Sequence, residues 1–223
     1  MPTYPVAMRL FAAGRHLLLA SAAMVILAAC GSAASDLVTY TDDDRLSRLD
    51  LPTDWHVYEL GEISALDDLP FDEPFQGMTF PAVSSFGFDA GPVRDVGALS
   101  STLADANYPI GMAHVRSVGE QERDFLSRAV LTQSVVPYYG LANPQEITKE
   151  DFTFGDGFDG VRVLFAYEAE SGIDQGVAYM ISVSDPADNR IYTVVAGCRR
   201  ECFIENQDVI TKVVDSWLVN KKA

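Results

Sequence analysis

The chain has 223 residues, 48% of them hydrophobic, with 32 acidic side chains against 16 basic ones and three cysteines. That apolar content excludes wholesale disorder. The net charge of −16 excludes a default nucleic-acid face, which needs an excess of Lys and Arg to neutralise phosphate. At about 150 residues per domain, the length allows one domain or at most two.

Residues 1–29 carry Arg9 and Arg15 and no acid, and the apolar run Leu17 to Leu27 follows the second arginine. A membrane-spanning helix needs about 20 apolar residues. Here Arg15 closes the run behind, and Ser32 and Asp36 close it ahead. A charged start with a short apolar core is the pattern of a signal peptide. Met8 is an alternative start, since Met8 to Leu19 already forms a complete charged region.

The run ends in Leu27-Ala28-Ala29-Cys30, followed by Gly31 and Ser32. This tetrapeptide resembles the lipobox of bacterial lipoprotein precursors. The resemblance implies cleavage between Ala29 and Cys30, with a diacylglycerol on the Cys30 sulfur and palmitate among the acyl chains. The partner of Cys30 is then the cell membrane, and the rest of the chain lies on its extracytoplasmic face. An ordinary secretory cleavage with an incidental cysteine is the alternative. Each buried CH₂ contributes about 0.8 kcal/mol, so one chain holds marginally and two or three hold stably. Cleavage removes two basic residues and takes the net charge from −16 to −18. An anionic membrane repels such a surface. Residues 30–37, rich in Gly, Ser and Ala, read as a lipidated tether, and 38–223 as a single domain.

Leu49, Leu51, Trp55, Val57 and Tyr58 predict two short extended pieces around a turn at Pro52-Thr53-Asp54. From Leu69 to Pro92 the chain is rich in Pro and Phe, which excludes a helix and leaves one strand near Met78 to Phe88. Asp95 to Asn107 reads as a short helix, and Ile110 to Val118 as a strand. Ser117 and Glu120 form a capping box for a helix that ends before Pro137. Three β-rich runs then follow, at 161–170, 176–184 and 190–197, separated by turn-like Ser171-Gly172 and Asp188-Asn189. They predict an antiparallel meander covered on both faces. A last helix is placed from Asn206 or Asp208, with Val209, Ile210, Val213, Val214 and Trp217 as its stripe and Lys221 and Lys222 at its end.

The order of elements predicts an α+β fold, an antiparallel sheet with helices on its faces. The turn Leu51-Pro52-Thr53-Asp54-Trp55, the meander, and a closing helix ending in Asp215-Ser216-Trp217-Leu218-Val219 resemble the PsbP-like α/β/α sandwich. Actinobacterial lipoproteins of the LpqN and LpqT type are similar in layout. The resemblance implies a binding or adaptor protein of the cell envelope, and it carries no activity over.

With Cys30 lipidated, Cys198 and Cys202 remain, an even pair in an exported protein, and a disulfide is predicted between them. Arg199 and Arg200 beside them would lower a thiol pKa, so a thiol oxidoreductase is an alternative, although the spacing is not that of C-x-x-C. Only His56 and His114 survive processing, and no nucleophile motif or phosphate loop accompanies them. They read as structural, so no catalytic residue is assigned. The acids Asp42, Asp43, Asp44, Asp156 and Asp159 lack calcium-loop order. No metal or cofactor is predicted. Phe71, Phe75, Met78, Phe80, Phe86 and Phe88 form a candidate apolar binding surface for a lipid, a small ligand or an envelope protein. The competing reading places part of this stripe, together with Trp55 and Trp217, in the core.

Overall fold

The structure, a computed structural model, describes residues 36–63, 82–100, 103–119, 131, 142–154, 158–168, 175–185 and 189–220. They belong to one compact unit, Ser35–Ala223. Strand β1 (Leu37–Thr41) begins inside the segment read as tether. It turns through Asp42–Leu46 and pairs antiparallel with β2 (Ser47–Pro52). The turn is fixed by the carboxylate of Asp42, which accepts hydrogen bonds from Leu46 N–H at 2.7 Å, Ser47 N–H at 2.8 Å and Ser47 Oγ–H at 3.0 Å. Arg45 takes the left-handed conformation inside it, at φ 56°.

After the Pro52-Thr53-Asp54 turn come β3 (His56–Glu59), the one-turn α1 (Leu60–Ile63) and β4 (Ala82–Asp89). A 3₁₀ turn η1 (Val96–Ser100) and β5 (Ile110–Ser117) follow. Then come β6 (Ala142–Phe154), β7 (Phe158–Glu168), β8 (Gln175–Asp185) and β9 (Arg190–Arg199). Helix α2 (Arg200–Asp215) and the two-residue β10 (Leu218–Val219) close the chain.

Seven strands make one antiparallel sheet in the order β3-β4-β5-β9-β8-β7-β6, and β1-β2-β10 make a second. The α+β class and the meander β7-β8-β9 are as the sequence predicts. One face of the large sheet carries Phe86, Phe88, Ala113, Tyr192, Val194 and Val183, and packs with α2 and with Leu49 and Leu51 of β2. The other face carries Val161, Val163, Met180, Ile191 and Val195, with helical Leu131 in the same cluster. Ile63 and Leu99 cover this second face over Gly87.

Three expectations are corrected. The last helix begins at Arg200, six residues before Asn206. Its N-cap, Arg199, makes no side-chain cap bond, so no capping signal marks the start in the sequence. Asn206 instead sits inside the helix and donates Nδ2–H to the Cys202 carbonyl at 2.9 Å. The helix also stops at Asp215, because Leu218 and Val219 turn back to pair with Arg48 and Ser47, so its stripe ends at Val214 and Trp217 is buried beyond the helix end. The predicted helix at Asp95–Asn107 is a 3₁₀ turn and a further turn at 103–105. Strand β6, a polar edge with no apolar alternation, was not anticipated. The capping box at Ser117 and Glu120, the glycines at 155 and 157, and the lysines at 221 and 222 lie wholly or partly outside the described residues.

Candidate functional site

Cys198 is the penultimate residue of β9, Cys202 lies in the first turn of α2, and the two are joined by a disulfide with Cα atoms 5.9 Å apart. Both are buried. The bond thus ties the last strand of the meander to the helix that covers it, and Arg199 N–H between them donates to Ala106 O at 3.0 Å. Thiol–disulfide exchange needs an accessible sulfur. Buried sulfurs suit a structural tie.

The apolar stripe is divided. Phe86 and Phe88 are almost fully buried core residues, the first against Tyr40 with ring centroids 4.6 Å apart, the second stacked on Trp55 at 5.8 Å. Both rings are packed into the core, and Phe86 also borders a concavity beside Tyr40. Phe71, Phe75, Met78 and Phe80 lie outside the described residues, as do Ala29 and Cys30.

His114 sits mid-β5, and its Nδ1 is 2.6 Å from Ser85 Oγ. Burial, then the Arg116 charge, pushes its pKa down to about 4, so the ring is neutral at pH 7. Thr193 faces it across the β5–β9 pair, and Thr193 Oγ1 lies 3.0 Å from Ser182 Oγ on β8. The four side chains form two hydrogen-bonded pairs, Ser85–His114 and Thr193–Ser182, at adjacent register positions across the second face of the sheet. Among the described residues, no acidic side chain is seen to hydrogen-bond this histidine as a catalytic triad requires. His56, at the start of β3, has a buried Nε2 with no hydrogen-bond partner. Among the described residues, no three His, Cys, Asp or Glu side chains come close enough to hold a metal ion.

Sequence reasoning missed a buried carboxylate. Asp89, at the end of β4, is fully buried. It accepts the phenolic O–H of Tyr58 and, at 2.6 Å, the N–H of Gly91. Burial and then the Asp89 hydrogen bond raise the Tyr58 pKa. The Tyr58 oxygen accepts Asp95 N–H at 2.8 Å, and Arg94 lies over its ring at 4.6 Å while pairing with Glu62 at 2.7 Å. The only sequence signal is Asp89-Ala90-Gly91, an Asx turn before Pro92.

Two small concavities lie on the described surface. One, about 140 Å³, is bounded by Asp105, Asn107 and Tyr108. The other, about 80 Å³, lies between Tyr40, Asp43, Asp44 and Glu59, with Ser84 and Ser85 behind. Burial raises the Tyr40 phenol pKa, and the negative charges of Glu59, Asp43, Asp42 and Glu62 raise it further.

No family model matches the chain, and no curated protein matches it in sequence. Solved structures do match it. PsbP of the cyanobacterium Synechocystis sp. PCC 6803 is 12% identical, over 87% of this chain and 99% of that one, with a TM-score of 0.47. LpqN of Mycobacterium tuberculosis, described as involved in cell envelope biogenesis, is 13% identical, over 83% of this chain and 91% of that one, with a TM-score of 0.48. The Ran-binding protein Mog1p of Saccharomyces cerevisiae is 8% identical, over 83% and 96%, with a TM-score of 0.46. The first two are the kinds of protein that the Leu51–Trp55 turn and the closing helix resemble. Likenesses this remote carry no functional argument.

Proposed function

We propose that this chain is an extracytoplasmic lipoprotein, a non-enzymatic binding or adaptor module of the cell envelope. Residues 1–29 are its signal peptide, Cys30 is the lipid-bearing first residue of the mature chain, and the rest is a short tether and one α+β domain. The carrying observation is Leu27-Ala28-Ala29-Cys30 at the end of an apolar run too short to span a membrane. The Cys198–Cys202 bond supports the reading, because such bonds persist outside the reducing cytosol. The test is metabolic labelling of cells with an alkyne analogue of palmitate, with the mass of the N-terminal peptide measured alongside. Wild-type chain carries label and begins at Cys30, whereas Cys30→Ala carries no label and accumulates at precursor mass. An uncut cytosolic chain with a free Cys30 thiol overturns the reading.

A further inference from the structure

We infer that the outer edge of β1, with the acidic concavity beside it, is the docking strip of this adaptor and takes an extended, basic segment of a protein partner as an added strand. This docking role rests on the adaptor reading above and names the partner's chemistry.

The two sheets end in four edge strands, β1, β3, β6 and β10. Open edges invite strand addition, and proteins blunt them with charge, proline, bulges or brevity. β10 has two residues and β3 has four. β6 is long, but its register with β7 is interrupted twice, between Ala142 and Gln145 and between Glu146 and Thr148. Its sequence also holds Pro144, Glu146, Lys149, Glu150 and Asp151. β1, five residues long, has no charge, proline or bulge. It pairs with β2 without interruption from Leu37 to Thr41, it contains no charged residue, and among the described residues no strand pairs with its other side.

β1 also exposes apolar surface. Val38 lies opposite Leu51 on the face where Leu49 and Leu51 are buried, yet it is 54% exposed, and neighbouring Leu37 is 48% exposed. A side chain that points to the core side and stays in water is what an added strand would cover. Strand addition supplies main-chain hydrogen bonds, and flanking pockets select the partner's side chains.

The pocket at the far end of β1 selects charge. Asp43, Asp44 and Glu59 are exposed around Tyr40. Asp42 is already committed to the turn. Arg94 is taken by Glu62, and Arg45, exposed in the same turn, is the basic side chain next in sequence to Asp44. The cavity of about 80 Å³ has the room of two or three waters, at about 30 Å³ each. It therefore admits the end of a Lys or Arg side chain, which Tyr40 can meet with its ring face. A cation there is attracted by three carboxylates, while an anionic lipid headgroup is repelled. That asymmetry favours a basic polypeptide over a membrane surface.

The experiment uses the full chain in neutral detergent at 0.15 M salt, with two fluorescent decapeptides, one alternating Lys with Thr and one alternating Glu with Thr. Anisotropy measures binding, and amide hydrogen exchange locates it. The basic peptide is expected to bind and to slow exchange in residues 37–41, and the acidic one is expected not to bind. Asp43→Asn/Asp44→Asn/Glu59→Gln should weaken the basic peptide at least tenfold. Glu201→Gln/Glu205→Gln/Asp208→Asn, the same charge change on exposed α2, should weaken it less than threefold. Equal losses for the two triple variants, or protection of β6 in place of β1, overturn the inference. So does shielding of Leu37 and Val38 by phosphatidylglycerol vesicles with none by peptide. Cys30 acylation is read by mass on the same preparation. Acylated chain that ignores the peptide removes the strip alone, and unacylated chain that binds it removes the anchor alone.

Discussion

His114 makes the fold sensitive to mild acid by a calculable amount. An unfolded histidine titrates near 6.5, whereas the folded ring titrates near 4. Above pH 6.5 the ring is neutral in both states and has no effect on the balance. As pH falls below 6.5 the unfolded chain binds a proton that the folded chain refuses, so stability is lost progressively until the folded ring also protonates. At 1.36 kcal/mol per pH unit the loss is roughly 2–3 kcal/mol by pH 4.5 and saturates at roughly 3–4 kcal/mol. Carboxylates contribute to acid unfolding as well, so the quantity to measure is a difference. His114→Asn keeps a polar atom where Nδ1 meets Ser85 Oγ but does not titrate. Urea unfolding of both proteins at pH 7.5, 6.0, 5.0 and 4.5 gives two stability curves. They should converge by roughly 2–3 kcal/mol across that range, with unchanged denaturant slopes. Curves that stay parallel within about 0.5 kcal/mol refute the assignment of a buried neutral imidazole.

Two further perturbations test the frame. Replacing Cys198 and Cys202 together by alanine opens the short loop between β9 and α2, and should cost about 2 kcal/mol in the chain-entropy account. That is a melting shift of roughly 4–8 °C for a chain of this size, and the double variant should no longer respond to reductant. Gly197→Ala would put its Cβ 2.2 Å from the Val177 carbonyl oxygen and 2.8 Å from the Ala178 Cα, so two adjacent strands must part. A loss of about 3 kcal/mol or more is expected in thermal unfolding. At Gly61 a Cβ meets nothing within 4 Å, and alanine there should be neutral or stabilising by up to about 1 kcal/mol.

Much of the fold was legible because its signals were local. The meander announced itself through β-rich runs with turn residues between them, and the turn at Pro52-Thr53-Asp54 separated β2 from β3 as read. The helix start at Arg200 was not legible, because no side chain caps it and the disulfide does the fixing. Strand β6 was invisible for a related reason. An edge strand exposed on both faces needs no apolar alternation, so Gln145 to Asp151 reads as a polar loop. Of the candidate binding surface, Phe86 and Phe88 alternate with Ser85 and Gly87, so both rings fall on the core face of β4, as the competing reading had it. That is the period-2 rule at work in a segment where prolines and glycines had disguised it.

The same rule explains why polar side chains cross an otherwise apolar sheet. Ser85 pairs directly with His114, His114 with Thr193, and Thr193 with Ser182, on four neighbouring strands. A one-residue slip of any strand sends its side chain to the opposite face. A two-residue slip keeps the face but replaces His114 by Met112 or Arg116 opposite Ser85. Either slip separates buried polar groups from their partners, at about 1–3 kcal/mol for each group left unsatisfied. Apolar neighbours such as Val194, Val195, Met180 and Ile181 carry no such penalty, because one apolar contact replaces another with little loss. The row therefore fixes the register of β4, β5, β9 and β8, which valine-rich runs alone leave degenerate. A neutral histidine serves this purpose where a charged one would not, since burial first, and then the neighbouring Arg116 charge, disfavour the cation.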